Sequence, residues 1–244
     1  MNTVEPRTFW ETVAEDMRWG QYLTAIEQDA LVTAHALAGE PGTVLEIGCE
    51  GGRWSQMLSQ IGWKNICTDV DPILLATCQR RIPTAQCVLV QPHETTLPCE
   101  TATLDLLLCV EVPPVMEGEW ISSEAQRTLR AGGLFVGVFY NRHSWRAMVV
   151  RARQTLKARM VGDTSPTMYN RPYTQWKKTL QHHSFTVVYE RGCCWFPFSR
   201  RSNSSFIPAC VLMEQRFGLQ TLTRLSPWIV FIAQKHKGRE GRSL

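Results

Sequence analysis

The segment Val44-Leu45-Glu46-Ile47-Gly48-Cys49-Glu50-Gly51-Gly52 constrains the fold of this chain more than any other. A short β-type run ends on an acid, a glycine-rich turn follows, and a helix is predicted to open near Arg53. Glycine has no side chain, so such a turn lets backbone amides approach a bound nucleoside. A second acid, Asp69, ends the next apolar run. It lies about 20 residues on, the usual distance from a glycine turn to a ribose-binding carboxylate in a βαβ unit. The dinucleotide fingerprint G-x-G-x-x-G does not fit, because Glu50 and Arg53 occupy its second and third glycines.

Around this turn the pattern alternates. Helical spacing of Leu23, Ile26, Ala30, Ala34 and Leu37 predicts a helix over Gln21–Ala38, stopped by Gly39 and Pro41. Strands are predicted over Thr43–Ile47, Ile66–Asp69, Gln86–Val90, Leu104–Val110 and Leu134–Tyr140. Between them fall helices over Arg53–Ile61, Ile73–Arg81 (with Asp71 as its cap and Pro72 at its first position) and Trp120–Arg130, the last closed by Gly132-Gly133. Nearly continuous apolar strands between amphipathic helices point to a parallel sheet covered on both faces. After Tyr140 the pattern changes. Trp145, Met148, Val149, Ala152 and Leu156 form a helical stripe, and Arg142–Arg159 carries six basic residues and no acid. A helix over Tyr173–Gln181, a strand over Phe185–Glu190, a helix near Val211–Phe217 and a strand over Trp228–Ala233 follow.

The 244 residues, 44% of them hydrophobic, can bury one large core. The expected organisation is an N-terminal helical segment (1–42) covering the site, a core (43–140), cap insertions with the last two strands (141–234), and a disordered basic tail (235–244). No apolar run reaches the ~18 residues that span a bilayer, and Met1–Pro6 lack the pattern of a secretory leader. Nine cysteines without a C-x-x-C pair read as reduced, buried thiols, including the adjacent Cys193 and Cys194. The expected location is therefore the cytoplasm. The net charge of +4 is mild, and no zinc finger or aromatic RNA-binding motif accompanies it, so no nucleic-acid partner is expected.

These segments together resemble the class I S-adenosylmethionine (SAM)-dependent methyltransferases, in the type 11 group that includes UbiE-like and ubiquinone O-methyltransferase-like enzymes. Glu46, Gly48 and Gly52 match the acid-x-Gly-x-Gly-x-Gly loop, with Glu50 in place of the middle glycine. Asp69-Val70-Asp71-Pro72-Ile73-Leu74 resembles the second motif, whose acid binds both ribose hydroxyls. His93-Glu94-Thr95-Thr96-Leu97-Pro98 resembles the adenine-reading D-A-x-x-L-P segment, with His93 where Asp is usual. Asp105–Val112 resembles strand four and its exit, Leu129–Leu134 the approach to strand five, and Tyr140–Trp145 a segment of the quinone-modifying enzymes.

The resemblance implies an α/β fold, with a Rossmann-like, mostly parallel seven-stranded sheet, helices on both faces and an antiparallel last strand. It also implies SAM as cofactor, held by Glu46, Gly48, Cys49, Gly52, Asp69, Val70, His93, Glu94 and Cys109. The quinone enzymes continue strand four into E-x-x-E-H. Here only Glu111 matches, and Pro114 and Val115 replace the acid and the histidine, so no metal site is expected there. The implied reaction is methyl transfer to an oxygen, nitrogen or carbon of a small, largely apolar acceptor. The alternatives are a SAM-binding scaffold without activity and an RNA or protein methyltransferase. His143 is the first candidate base and Glu111 the second, and His143 can equally be a capping or solvent histidine. Tyr22, Tyr140, Tyr169 and Tyr173 are candidates for the acceptor wall. The basic helix after Tyr140 reads as a solvated cap, as a surface for an acidic substrate or a peripheral anionic-lipid contact, or as a nucleic-acid contact. The oligomeric state stays open.

Overall fold

The computed structural model describes residues 7–161 and 169–237. Two helices, α1 (Phe9–Asp16) and α2 (Arg18–Ala38), precede strand β1 (Thr43–Ile47). Then come α3 (Arg53–Gln60), β2 (Lys64–Asp69), α4 (Pro72–Arg81), β3 (Gln86–Leu89), β4 (Leu104–Cys109), the short α5 (Pro113–Met116), α6 (Trp120–Thr128) and β5 (Leu129–Tyr140). The C-terminal part adds α7 (Trp145–Val161), α8 (Tyr173–His182), β6 (Phe185–Cys193), α9 (Ile207–Arg216) and β7 (Trp228–Lys235). The seven strands make one sheet in the order β3-β2-β1-β4-β5-β7-β6. Neighbours from β3 to β5 are parallel, whereas β7 runs antiparallel to both β5 and β6. This is the expected mostly parallel seven-stranded sheet.

Alternate strand residues feed opposite layers, as the two-residue period requires. Leu106 and Leu108 of β4 pack with Leu31 and Ala34 of α2 and Trp54 and Leu58 of α3. Leu107 and Cys109 pack instead with Ile121 and Ala125 of α6 and Trp176 and Leu180 of α8. Burial on both faces explains why β4 reads as a continuous apolar run.

Local chemistry sets the element ends. Asp71 caps α4 by accepting hydrogen bonds from the amides of Ile73 (2.8 Å) and Leu74 (3.3 Å), and Pro72 occupies the first helical position. The glycine pair corrects the sequence reading. Gly132 and Gly133 do not stop α6, which ends at Thr128; they lie inside β5. Between Leu104↔Leu129 and Leu106↔Leu134, β4 advances two residues while β5 advances five, so the strand must bulge. Gly132 takes φ +82° there, and a Cβ at Gly133 would stand 3.0 Å from the Arg130 carbonyl oxygen. The basic tail also begins later than expected. Lys235 closes β7, its ammonium donating to the carbonyl of Leu129 at 2.7 Å, and the rest of the tail from 238 lies outside the described residues. Much of the polar stretch before Tyr173 (162–168) lies outside them as well.

The stripe on α7 does not become core. Met148, Val149 and Leu156 are exposed (67%, 41% and 59%), and among the described residues of that helix Ala147 is buried. All nine cysteines are unpaired thiols. Among the described residues no helix is long and apolar enough to cross a membrane.

Candidate active site

The glycine turn is built as a tight approach. Gly48 takes φ +68°, and a Cβ there would lie 2.7 Å from Val112 Cγ2. Its amide and that of Cys49 both donate to the Thr68 carbonyl (2.8 and 3.0 Å), which ties the turn to the end of β2. Gly52, at φ +81°, caps α3 in the left-handed conformation. Glu50, in place of the family's glycine, also has a left-handed backbone, with φ 51°. Its carboxylate accepts from Thr8 Oγ1 (2.9 Å) and the Trp10 amide (3.3 Å), so the substitution fastens α1 over the turn. Arg81 reinforces the same contact, donating to Glu11 and, at 3.0 Å, to the Gly51 carbonyl.

Three adjoining cavities lie at the carboxyl ends of β1, β2 and β4, where open α/β sheets bind ligands. The first, of about 140 Å³, is an apolar slot between Ile47, Val70, Val90, Leu97, Pro114, Val115 and Trp120, with Asp69 and Glu94 at its polar edge. The second, of about 280 Å³, shares Gly48, Asp69, Val70 and Val112 with the first and adds Trp10, Glu46, Cys49, Glu50, Arg53 and Glu111. The third is a narrow cleft sharing Trp10, Arg53 and Glu111 with the second and adding Leu23, Thr24, Glu27 and Arg200.

Asp69 joins the first two cavities and is 8% exposed. Its Oδ2 accepts from the Glu50 amide (2.8 Å) and its Oδ1 from the Asp71 amide (2.9 Å). A carboxylate offers about four lone-pair directions, so each oxygen keeps one for a ribose hydroxyl. Glu46 lies beneath the turn and accepts from the Ser55 amide (3.0 Å) and hydroxyl. Burial pushes its carboxyl up to about 8.

Beyond the turn the cavities become charged. Glu111 leaves β4 in the left-handed region, with φ 57°. Its Oε1 has no hydrogen-bond partner, and Arg200 Nη2 lies 3.4 Å away. Burial raises its carboxyl, and the Arg200 and Arg53 charges oppose that rise. Glu27, 3% exposed, is raised to about 8 by burial and by the Glu111 charge. Arg53 donates to Thr24 Oγ1 (2.8 Å) and Glu27 Oε2 (3.2 Å) and stacks 4.1 Å over Trp54. Arg200 lies between Trp10 and Trp228, at 4.4 and 5.0 Å from their rings. The hydroxyl of Tyr140 is buried without a partner, and burial and Glu111 hold it well above the usual phenol range.

The structure brings together Glu46, Gly48, Cys49, Asp69, Val70, Glu94 and Glu111 along the cavities. Others fall elsewhere. His93 is exposed and lines none of the three, and Cys109 is buried inside the sheet core. Gly52 shapes the turn from behind, without lining a cavity. His143 is exposed in the turn after β5, and it too lies outside all three cavities; Ser144 caps α7, its Oγ accepting from the Ala147 amide, while Asn141 Oδ1 accepts from the His143 and Tyr173 amides. Three of the four tyrosines spend their hydroxyls on the scaffold. Tyr22 donates to Glu214, Tyr169 accepts from Trp228 Nε1 (2.8 Å), and Tyr173 donates to Glu190 (2.9 Å) beside a separate cavity under α8. Trp10, Glu27, Arg53 and Arg200 were not anticipated, because no sequence spacing connects α1, α2, α3 and the loop before α9.

The residues present fit SAM. The apolar slot suits a purine, Asp69 has lone pairs to spare for a ribose, and the absent side chain of Gly48 lets the turn close against Val112 at the cavity wall.

The comparisons agree with this geometry. A methyltransferase-domain family profile of type 11 matches residues 45–137. No curated protein matches the sequence. Among solved structures, a SAM-dependent methyltransferase from Methanosarcina mazei superposes with a TM-score of 0.57 at 16% identity, covering 83% of this chain and 96% of that one. A TehB-like SAM-dependent methyltransferase from Corynebacterium glutamicum gives 0.52 at 18%, covering 89% and 94%. A geranyl diphosphate methyltransferase, in complex with its diphosphate and sinefungin, gives 0.57 at 15%, covering 89% and 82%. Residues 45–137 match a type 11 methyltransferase domain, and the chain as a whole has the fold of the SAM-dependent methyltransferases.

Proposed function

We propose that this protein methylates a hydroxyl or amine on a small acceptor with an apolar body, and that Glu111 receives the proton the acceptor loses. The observation that carries this reading is Glu111 Oε1, which accepts no hydrogen bond and faces Arg200 Nη2 at 3.4 Å, on strained backbone at the β4 exit where the second and third cavities meet. An acceptor O–H or N–H would supply the hydrogen bond this oxygen lacks. A carboxylate made more basic by burial is a better proton acceptor near neutral pH. Trp10, Val13, Ala14 and Leu23 line the third cavity, which at about 10 Å³ must open to take the body of the acceptor. Burial and the Glu111 charge push the Glu27 carboxyl up to about 8, and Arg200 and Arg53 face the two acids together.

In this reading Asp69 holds the ribose and the slot around Val70 and Val115 takes the adenine. Glu94, at the slot's edge, accepts from the adenine amino group, and Arg53 faces the methionine carboxylate. SAM supplies an activated methyl on a sulfonium, so the protein's work is alignment and exclusion of water. Neither His143 nor a metal at the β4 exit takes part.

The test is incubation with SAM tritiated in its methyl group together with a metabolite extract, followed by size separation. Label in the low-molecular-weight fraction, with matching S-adenosylhomocysteine, supports the reading. Label in RNA or protein points to a macromolecular acceptor, and binding of SAM without any transfer points to a scaffold.

The exposed face of α7 favours a peripheral contact with anionic lipid as a second element of the function. Met148, Leu156 and Met160 (67%, 59% and 76% exposed) share the helix with Arg151, Arg153, Lys157 and Arg159. Flotation with phosphatidylserine vesicles at low salt checks this, and absence of binding makes α7 a solvated cap.

A further inference from the structure

We infer that Cys49, Cys67 and Cys78 form a binding site for one soft, thiophilic ion that takes three thiolate ligands. The three come from different elements: the glycine turn, β2 and α4. Their Sγ atoms nevertheless lie within 4.8 Å of one another, and the residues are 3%, 0% and 0% exposed. Cysteine packs well as a small hydrophobe, and packing alone would account for any one of these. It does not require three sulfurs from three elements to converge on one point.

The geometry selects the kind of ion. A metal–sulfur bond of about 2.3 Å places three sulfurs around an ion roughly 4 Å apart, so the triad needs only a small contraction to close on one. No histidine or carboxylate completes the group among the described residues, and Cys87 of β3, whose thiol hydrogen-bonds with Cys67 and Cys78 from the edge of the cluster, lies outside the set of three. Zinc prefers a fourth ligand. Soft ions content with thiolates alone, such as monovalent copper or trivalent arsenic, suit the set better. Leu75, Ile82 and Ala85 pack around the sulfurs and leave no polar shell for a hydrated, hard ion. Ser55 supplies an outer partner, its Oγ lying 3.2 Å from Cys67 Sγ and donating in turn to Glu46. Copper(I) would displace one proton from each thiol it ligates, whereas arsenite, as As(OH)3, would form three As–S bonds and release its three hydroxides with the thiol protons as water.

The site would act as a staple. Cys49 belongs to the turn that lines the second cavity, and a Cβ on Gly52 would lie 2.6 Å from Cys78 Sγ. An ion held here would join the turn, β2 and α4 behind the cofactor cavity.

The test uses the reduced full-length protein under anaerobic conditions. Monovalent copper is titrated against a chromophoric copper(I) chelator, with arsenite and zinc in parallel arms. One equivalent of copper(I) or arsenite is expected, with X-ray absorption showing three sulfur ligands; the two arms identify which ion the site prefers. Cys78→Ser should weaken binding beyond the roughly 10–100-fold typical of losing an outer-shell partner. Cys210→Ser, on α9, should leave it unchanged. Cys78 lines none of the cavities, so a thermal shift with S-adenosylhomocysteine shows whether that variant is folded; if it is not, the absorption spectrum of the wild type decides. Failure of both copper(I) and arsenite to bind, undiminished binding by folded Cys78→Ser, a sulfur count other than three, or tighter capture of zinc would each overturn the proposal.

Discussion

Replacing Asp69 with alanine tests how far one carboxylate serves both the cofactor and the fold. Its two oxygens accept from the Glu50 and Asp71 amides at 2.8 and 2.9 Å, on a residue 8% exposed. Alanine removes both acceptors and leaves two partly buried amides in a wet cavity. Hydrogen bonds to charged groups are worth about 1.5–3 kcal/mol each, and water in the cavity recovers part of that, so the expected loss of stability is about 2–4 kcal/mol. For a chain of this size that corresponds to a fall in Tm of roughly 5–15 °C. The same change removes the ribose acceptor and should weaken SAM by a further 1.5–3 kcal/mol, about 10- to 150-fold in Kd. Thermal unfolding without ligand and calorimetric titration with S-adenosylhomocysteine measure the two effects separately. A Tm within about a degree of wild type would refute the buttressing role. An unchanged Kd in a folded variant would show that another group holds the ribose.

Glu111→Gln should lower kcat by about 10²–10⁴ while leaving SAM affinity intact, and His143→Ala should change neither; S-adenosylhomocysteine formation with the extract is the readout, and the opposite pattern restores the histidine as base. Glu46 and Glu27 both have folded-state carboxyls near 8 against an ordinary value of 4.5, so their contribution to stability is fully present below about pH 4.5 and is lost as the pH rises towards 8. Tm should therefore fall between pH 6 and 8.5, and Glu46→Gln should flatten that fall in a pH series of melting curves. Gly52→Ala forces a side chain into φ +81° and against Cys78 Sγ at 2.6 Å, and should cost about 2 kcal/mol or more in denaturant unfolding.

The part of the candidate site proposed for the cofactor was largely legible in the sequence because its parts are local. A glycine turn, the acid before it and the acid ending the next strand are fixed by strand and helix periods, and they stand together in the structure at Gly48, Glu46 and Asp69. The sheet was legible for the same reason, apart from the β5 bulge, where glycines that resemble a helix stop answer a register shift instead. The acceptor half was not legible. Glu27, Arg53, Glu111 and Arg200 meet only because α2, α3, β4 and the loop before α9 pack around one cleft. Aromatic richness after Tyr140 suggested a pocket, yet Tyr169 and Tyr173 are bonded into the scaffold. Glu50 shows a third case: a departure from the family's glycine is explained by its long-range bonds to Thr8 and Trp10.

The central claim is that the cavities around Asp69 and Gly48 hold SAM. Isothermal titration of the purified protein with SAM and with S-adenosylhomocysteine tests it most directly. One site per chain with micromolar affinity, about −8 kcal/mol, is the expected result; absence of both heat and thermal shift with either ligand at millimolar concentration would contradict it.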